Sequence, residues 1–184
     1  MSWIKLCSKE AREWLTLEWR FEEDAMPTDH DLPHLQRCLT LAEEALAAGD
    51  EPFGSVLVSA EGEVLFEDRN RIAGGDATRH PEFAIARWAA EHLSPEQRAA
   101  ATVYTSGEHC PMCAAAHGWV GLGRIVYISS SAQLGTWLEA MGVPLAPVAP
   151  LPIRQVVPHL AVEGPVAGLD DRVHALHRRR HGHD

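Results

Sequence analysis

Two short stretches constrain this chain more than anything else in it: His80-Pro81-Glu82 and Cys110-Pro111-Met112-Cys113. In each, a proline stands where a helix can begin, because the first helical position has no use for the N–H that proline lacks. Read so, His80 stands at the entrance of one helix with Glu82 in its first turn, and Cys110 at the entrance of a second. Cys113 follows three residues later on the same helical face. Helix N-termini favour negative charge, thiolates included. Two sulfurs and one imidazole make a donor set for zinc. Three protein bonds leave the fourth tetrahedral position for water, the pattern of a catalytic rather than a structural site.

The same stretches resemble the H-x-E and P-C-x-x-C signature of the zinc-dependent nucleobase and nucleoside deaminases. One departure is plain: His109 stands where the signature has proline, at a position that supplies no metal ligand in that family. The resemblance runs from Leu32 to Tyr127 and takes in Pro52-Phe53-Gly54-Ser55-Val56-Leu57-Val58 and Asn70. It is nearest to the guanine deaminase and tRNA adenosine deaminase branch, whose members also carry a C-P-M-C-like turn before an alanine-rich helix. It implies one Zn2+ per chain on His80, Cys110 and Cys113, with Glu82 carrying protons between water, ring nitrogen and departing amine. It further implies Phe53 against a flat base, Asn70 hydrogen-bonded to substrate, and Trp119 in the pocket, often contributed across a homodimer. Each of these three also has a plainer reading: core for Phe53 and Trp119, a loop-capping turn for Asn70. His117, one turn after Cys113, reads as a satisfied helix histidine, and Glu108 as a residue that orients the cysteine loop.

Along the chain, residues 1–24 carry Trp3, Trp14 and Trp19 at near-helical spacing and predict a helical extension that docks on the core or on a partner subunit. Asp29 or Asp31 can cap a helix ahead of Pro33. Leu32, Leu35, Leu39, Ala42 and Leu46 form one stripe of that helix, which Gly49 ends; His34 falls off the stripe and is expected to face solvent. Residues 54–59 read as a buried strand, and Glu61-Gly62 as a hairpin turn returning through 64–66. The stretch 69–79 reads as a loop around Gly74-Gly75, the kind of segment that carries polar contacts to a ligand. A helix over 81–92 turns Phe83, Ala86, Ala90 and Leu93 inward and breaks at Ser94-Pro95. A strand over 102–105 leads into the cysteines, and a helix over 111–120 ends at Gly121. Residues 124–129 are apolar on both faces, as a central parallel strand would be.

A helix over 132–141, a proline-rich connector, a fifth strand over 153–157 and a helix over 169–179 complete the prediction, with 180–184 as a frayed tail. His174, His177, His181 and His183 sit among arginines with no carboxylate or thiol beside them, and read as tail rather than as a second metal site. The expected domains are a helical N-terminal extension (1–28), a zinc deaminase domain (29–160) and a C-terminal helix and tail (161–184).

This order predicts an α/β layer structure with a mixed sheet. The resemblance implies the cytidine-deaminase-like three-layer fold: a five-stranded mixed sheet with flanking helices, both metal helices on one face. A chain of 184 residues, 46% hydrophobic, can bury one core. Its net charge of −10 argues against a broad grip on nucleic acid, which rests on clustered Lys and Arg. No apolar run approaches the roughly 20 residues of a membrane span. Four cysteines, two wanted as zinc thiolates, point to a reducing cytoplasm and leave Cys7 and Cys38 as small core residues. The resemblance thus implies a hydrolytic deaminase of a small aminated heterocycle, a guanine-like purine first. Cytosine- or triazine-type bases and nucleosides come next, then tRNA adenosine. A non-catalytic protein stapled by zinc, with His109 or His117 as fourth ligand, is the reading from outside enzymology.

Overall fold

The computed structural model describes residues 28–183, so the expected tryptophan-rich extension and Cys7 lie outside the described residues. Helix α1 (Leu32–Ala47) buries Leu35, Cys38, Leu39, Ala42 and Ala45 along one face. Gly49, at φ +87°, takes the left-handed conformation that stops it. Strands β1 (Gly54–Val58) and β2 (Val64–Arg69) form the hairpin. Helix α2 (Pro81–His92) begins directly after His80. The break at Ser94-Pro95 is also a start, because Ser94 and Gln97 form a reciprocal capping box for the short α3 (Pro95–Ala100). Strand β3 (Thr102–Gly107), α4 (Pro111–Val120), β4 (Ile125–Ser129) and α5 (Ser131–Ala140) follow. A short α6 (Ile153–Val156), β5 (Val162–Glu163) and α7 (Asp170–Arg180) complete the order.

The five strands lie in the order β2-β1-β3-β4-β5. β1 is antiparallel to both β2 and β3, whereas β3, β4 and β5 run parallel. Neighbouring strand residues point to opposite faces, and the two faces have separate cores. Leu57, Val103 and Ile125 pack with Ile85 and Ala89 of α2 and Ala114 of α4. Val56, Tyr104 and Val126 pack with Leu35 and Leu39 of α1 and Val173 of α7. The result is the mixed, three-layer arrangement expected, with α2 and α4 together on one face. Both helices start near the C-terminal end of β3 and the N-terminal end of β1, so their N-termini converge at one end of the two central strands.

Several expectations are corrected. Residues 153–157 are not a strand: Pro152 precedes the single turn of α6, whose Ile153 is fully buried in the α2–α4 core. The fifth strand is the two-residue β5, paired with Ile125 and Val126. Asp31 occupies the N-cap position of α1 without capping it. Its carboxylate instead accepts from the Tyr104 hydroxyl at 2.7 Å and from Arg124 Nη1 at 2.8 Å. His34 is half-buried and stacks on Tyr104, with ring centroids 4.8 Å apart. The inner face of α2 runs through Ile85, Ala86 and Ala89, while Ala90 is exposed. The tail folds back, with Arg178 Nε donating to the His183 carbonyl at 2.7 Å. Cys38 is a core residue, as expected. Among the described residues, no helix is long and apolar enough to cross a membrane.

Candidate active site

His80 and Cys110 each hold extended backbone immediately before a helix that opens on proline, and this brings the two helix starts face to face. Cys110 Sγ lies 3.6 Å from Cys113 Sγ and 3.7 Å from His80 Nδ1, and Cys113 Sγ lies 3.6 Å from the same nitrogen. Zinc bonds of about 2.3 Å to sulfur and about 2.0–2.1 Å to nitrogen, at tetrahedral angles, put such donors roughly 3.5–3.8 Å apart. The triangle therefore fits zinc without rearrangement. His117 is turned elsewhere, its Nε2 2.8 Å from the Gly123 carbonyl oxygen, and His109 packs edge-on against it at 5.3 Å. Neither joins the donor cluster.

The electrostatics agree with that donor set. A hydrogen bond from Cys113, helped by His80, brings the Cys110 thiol down to about 4 against the opposing effect of burial. That same shared hydrogen bond, with burial, pushes the Cys113 thiol up. One proton is thus held between two sulfurs, a conflict that a divalent cation at the centre would remove by letting both ionise.

Glu82, on the first turn of α2, is only 5% exposed. Its Oε1 lies 3.0 Å from Ser55 Oγ and 3.1 Å from Thr105 Oγ1. Burial raises the carboxyl above its ordinary range, partly offset by the neighbouring His80. Ser55 and Thr105 carry no distinguishing signal in the sequence; both are fully buried, as is the neighbouring Ser106. Glu108 does orient the cysteine loop. Its two oxygens accept from the backbone N–H of Ser131 and of Ile153, each at 2.8 Å, and this ties β3's end to α5 and α6.

These groups lie around a cavity of about 310 Å3. His80, Glu82 and Cys110 are on its floor, with Phe53 and Asn70 at the side. Asn70 is 1% exposed, and its Oδ1 accepts from the Ile72 N–H at 3.1 Å, so the loop-capping reading holds at a residue that also lines the cavity. The opposite wall comes from residues beyond Ser131, including Leu138, Pro144, Leu145 and Val148, and from His177 of α7. Trp119 does not line this cavity; it is 90% exposed on α4. The sequence also misses Glu51, which α7 brings together with His177 and His181 on the same wall. The carboxylate grouped with these two histidines thus comes from the α1–β1 loop.

The profile of the family described as "Cytidine and deoxycytidylate deaminase zinc-binding region" matches residues 28–129. The chain belongs to this family. Among curated relatives, a probable cytosine deaminase of Schizosaccharomyces pombe is 29% identical over 107 residues, 58% of this chain and 65% of that protein. A tRNA-specific adenosine deaminase of Agrobacterium fabrum is 39% identical over 88 residues, 46% of this chain and 57% of that protein. The chain thus spans less than two thirds of either relative. Among solved structures, guanine deaminase from Nitrosomonas europaea superposes with a TM-score of 0.62 at 21% identity, covering 88% of this chain and 89% of that one. That likeness shows the cytidine-deaminase-like fold. The deaminase family thus accounts for the paired helix starts and for the donor triangle between them.

Proposed function

We propose that this chain is a zinc-dependent hydrolytic deaminase of a small aminated nucleobase, with a guanine-like purine as the favoured substrate. The observation that carries the reading is Glu82: a buried carboxylate, raised by burial, beside a three-donor metal triangle and on the lining of the cavity. A structural zinc staple has no use for such an acid.

In this reading His80, Cys110 and Cys113 hold one Zn2+. Zinc in such a site supplies a Lewis acid that makes water a competent nucleophile at neutral pH. Glu82 takes one proton of the attacking water on a carboxylate oxygen and delivers it to the ring nitrogen beside the amino-bearing carbon. It then takes the second proton, from the hydroxyl added at that carbon, and passes it to the amino group, which leaves as ammonia as the C–N bond breaks and the C=O bond forms. Ser55 and Thr105 hold Oε1, so that Oε2 is the oxygen that moves the proton. Phe53 packs against the flat ring, and Asn70 donates from Nδ2, its Oδ1 being engaged by the loop. The wall formed by residues beyond Ser131 and by α7 excludes bulk water from the site.

A free base suits this geometry better than a polynucleotide. The cavity is at the small end of ligand sites, it is roofed by apolar side chains, and the sequence carries a net charge of −10. Cytosine- or triazine-type bases are the next substrates to test. Trp119, exposed and outside its own chain's cavity, could reach a pocket only across a homodimer, and reduced zinc thiolates fit a cytoplasmic setting.

The test is ammonia release from a panel of free bases, nucleosides and a stem-loop RNA, with zinc measured alongside. Turnover of guanine or another free base, lost in Glu82→Gln with zinc and fold retained, is the expected result. An unchanged rate in Glu82→Gln refutes the enzyme reading, and activity on the stem-loop alone refutes the free-base substrate.

A further inference from the structure

The wall of the cavity carries a second cluster that the proposed chemistry does not use. Glu51 lies in the loop between α1 and β1, and α7 presents His177 and, one turn later, His181 on the same face. One candidate ligand atom from each, an imidazole nitrogen or a carboxylate oxygen, lies within 4.8 Å of the other two. His177 is 1% exposed, edge-on to Phe53 at 5.2 Å, and neither of its ring nitrogens has a hydrogen-bond partner. His181 Nε2 is likewise buried and unpartnered. Buried polar atoms are almost always satisfied, and exceptions point to a water or an ion.

An ordinary ion pair does not account for this cluster. Glu51 Oε1 does face Arg180 Nε at 3.1 Å, but that leaves Oε2 on the histidine side, 3.8 Å from His181 Nε2. Nor is His177 a cation. Burial, with His181 and His174 nearby, pushes it down to about 3, so it is the neutral imidazole that coordinates metals. His174 is stacked on Trp137 at 4.6 Å and stands outside the cluster.

We propose that Glu51, His177 and His181 form a second metal site, separate from the His80-Cys110-Cys113 triangle, that takes a divalent transition-metal ion of the Zn2+, Co2+ or Ni2+ class. Two imidazoles and one carboxylate select these over Mg2+ or Ca2+. Donors around such an ion stand about 3.0–3.4 Å apart at bonds of about 2.1 Å, so the site closes by small movements of Glu51 and of His181 at the helix end. Arg180 Nε, 3.1 Å from Glu51 Oε1, places a positive charge beside the carboxylate without a hydrogen bond to it. The ion would fasten α7 to the α1–β1 loop at the rim of the cavity. The proposal does not depend on which base is deaminated, or on whether any is.

Untagged, zinc-loaded protein is titrated with Co2+, desalted, and analysed for total metal and absorption. Two metal ions per chain are expected in the wild type. Cobalt entering the second site shows no sulfur-to-metal charge-transfer band. A Glu51→Gln/His181→Asn double variant should retain one ion per chain, and should lose the rise in Tm that added metal gives the wild type. A His174→Asn/His183→Asn variant should still hold two. One ion per chain in the wild type under excess Co2+ overturns the site. So does a second ion that survives Glu51→Gln/His181→Asn, or one that is lost in His174→Asn/His183→Asn.

Discussion

The Ser55 hydroxyl lies 3.0 Å from Oε1 of Glu82, so the middle of the sheet sets the direction of the acid on the helix packed against it. Thr105, opposite Ser55 across the β1–β3 pairing, reaches the same oxygen at 3.1 Å. A hydrogen bond to a charged group is worth about 1.5–3 kcal/mol. If the bond serves to aim the carboxylate, Ser55→Ala should lower kcat by about tenfold and leave KM and zinc content unchanged. Ser55→Ala/Thr105→Val should lower it further. Steady-state kinetics with metal analysis checks both; an effect confined to KM would assign Ser55 to binding.

Zinc should be part of the fold as well as of the site, because its donors come from the starts of two separate helices, α2 and α4. A strong chelator is expected to abolish activity and to lower Tm by several degrees, both restored by Zn2+. Cys110→Ser should behave as the chelated protein does and gain nothing from added zinc. Calorimetry with and without metal reads this directly.

Asp31 gives the stability a pH dependence. Burial alone would raise its carboxyl, but hydrogen bonds from Arg124, Tyr104 and Thr28 outweigh burial and hold it well below the usual carboxylate range. A carboxyl depressed in the folded state binds protons more weakly there than in the unfolded chain. Its stabilisation is therefore complete above the unfolded value near 3.9 and is lost as pH falls towards the folded value. Asp31→Asn should cost about 1–3 kcal/mol at pH 7, since it removes the charged acceptor of Tyr104 and Arg124 while Arg124 keeps its pairing with Glu163. The gap from wild type should narrow below about pH 4. Urea unfolding at pH 7 and pH 3 measures both.

Gly107 sits behind Phe53. A Cβ added there would meet Phe53 Cε1 at 2.9 Å and Cδ1 at 3.1 Å, closer than side chains tolerate. Gly107→Ala should displace the Phe53 ring at the cavity wall, raise KM several-fold and destabilise by about 1–3 kcal/mol. Zinc content should not change, which separates loss of the ring platform from loss of the metal.

Local signals explain what was legible. His80, Glu82, Cys110 and Cys113 declare themselves because proline fixes a helix start beside each group, and the ligand spacing lies within one turn. The strands β1 and β4 show as largely apolar runs because they are covered on both faces. β5 was illegible, since two residues have no periodicity, while the apolar, branched character of residues 153–157 imitates a strand. Asp31 looked like a cap because caps are what aspartates before helices usually are; Arg124 and Tyr104, distant in sequence, claimed it. Glu51, His177 and His181 fall together only through the packing of α7, so no spacing announces them. Trp119 was assigned by resemblance to a pocket which, within this one chain, it does not line.

The cavity takes its floor from the middle of the sequence and its far wall from residues 131 onward. A chain cut after Ser129 would keep His80, Cys110 and Cys113 yet present them in an open trough. Such a fragment should still capture zinc, while any ring lying on Phe53 would be bathed by solvent on its outer side. Affinity for the metal and confinement of the ligand are thus separable inheritances: insertions or losses in the final segment can change what is admitted without touching the donors beneath.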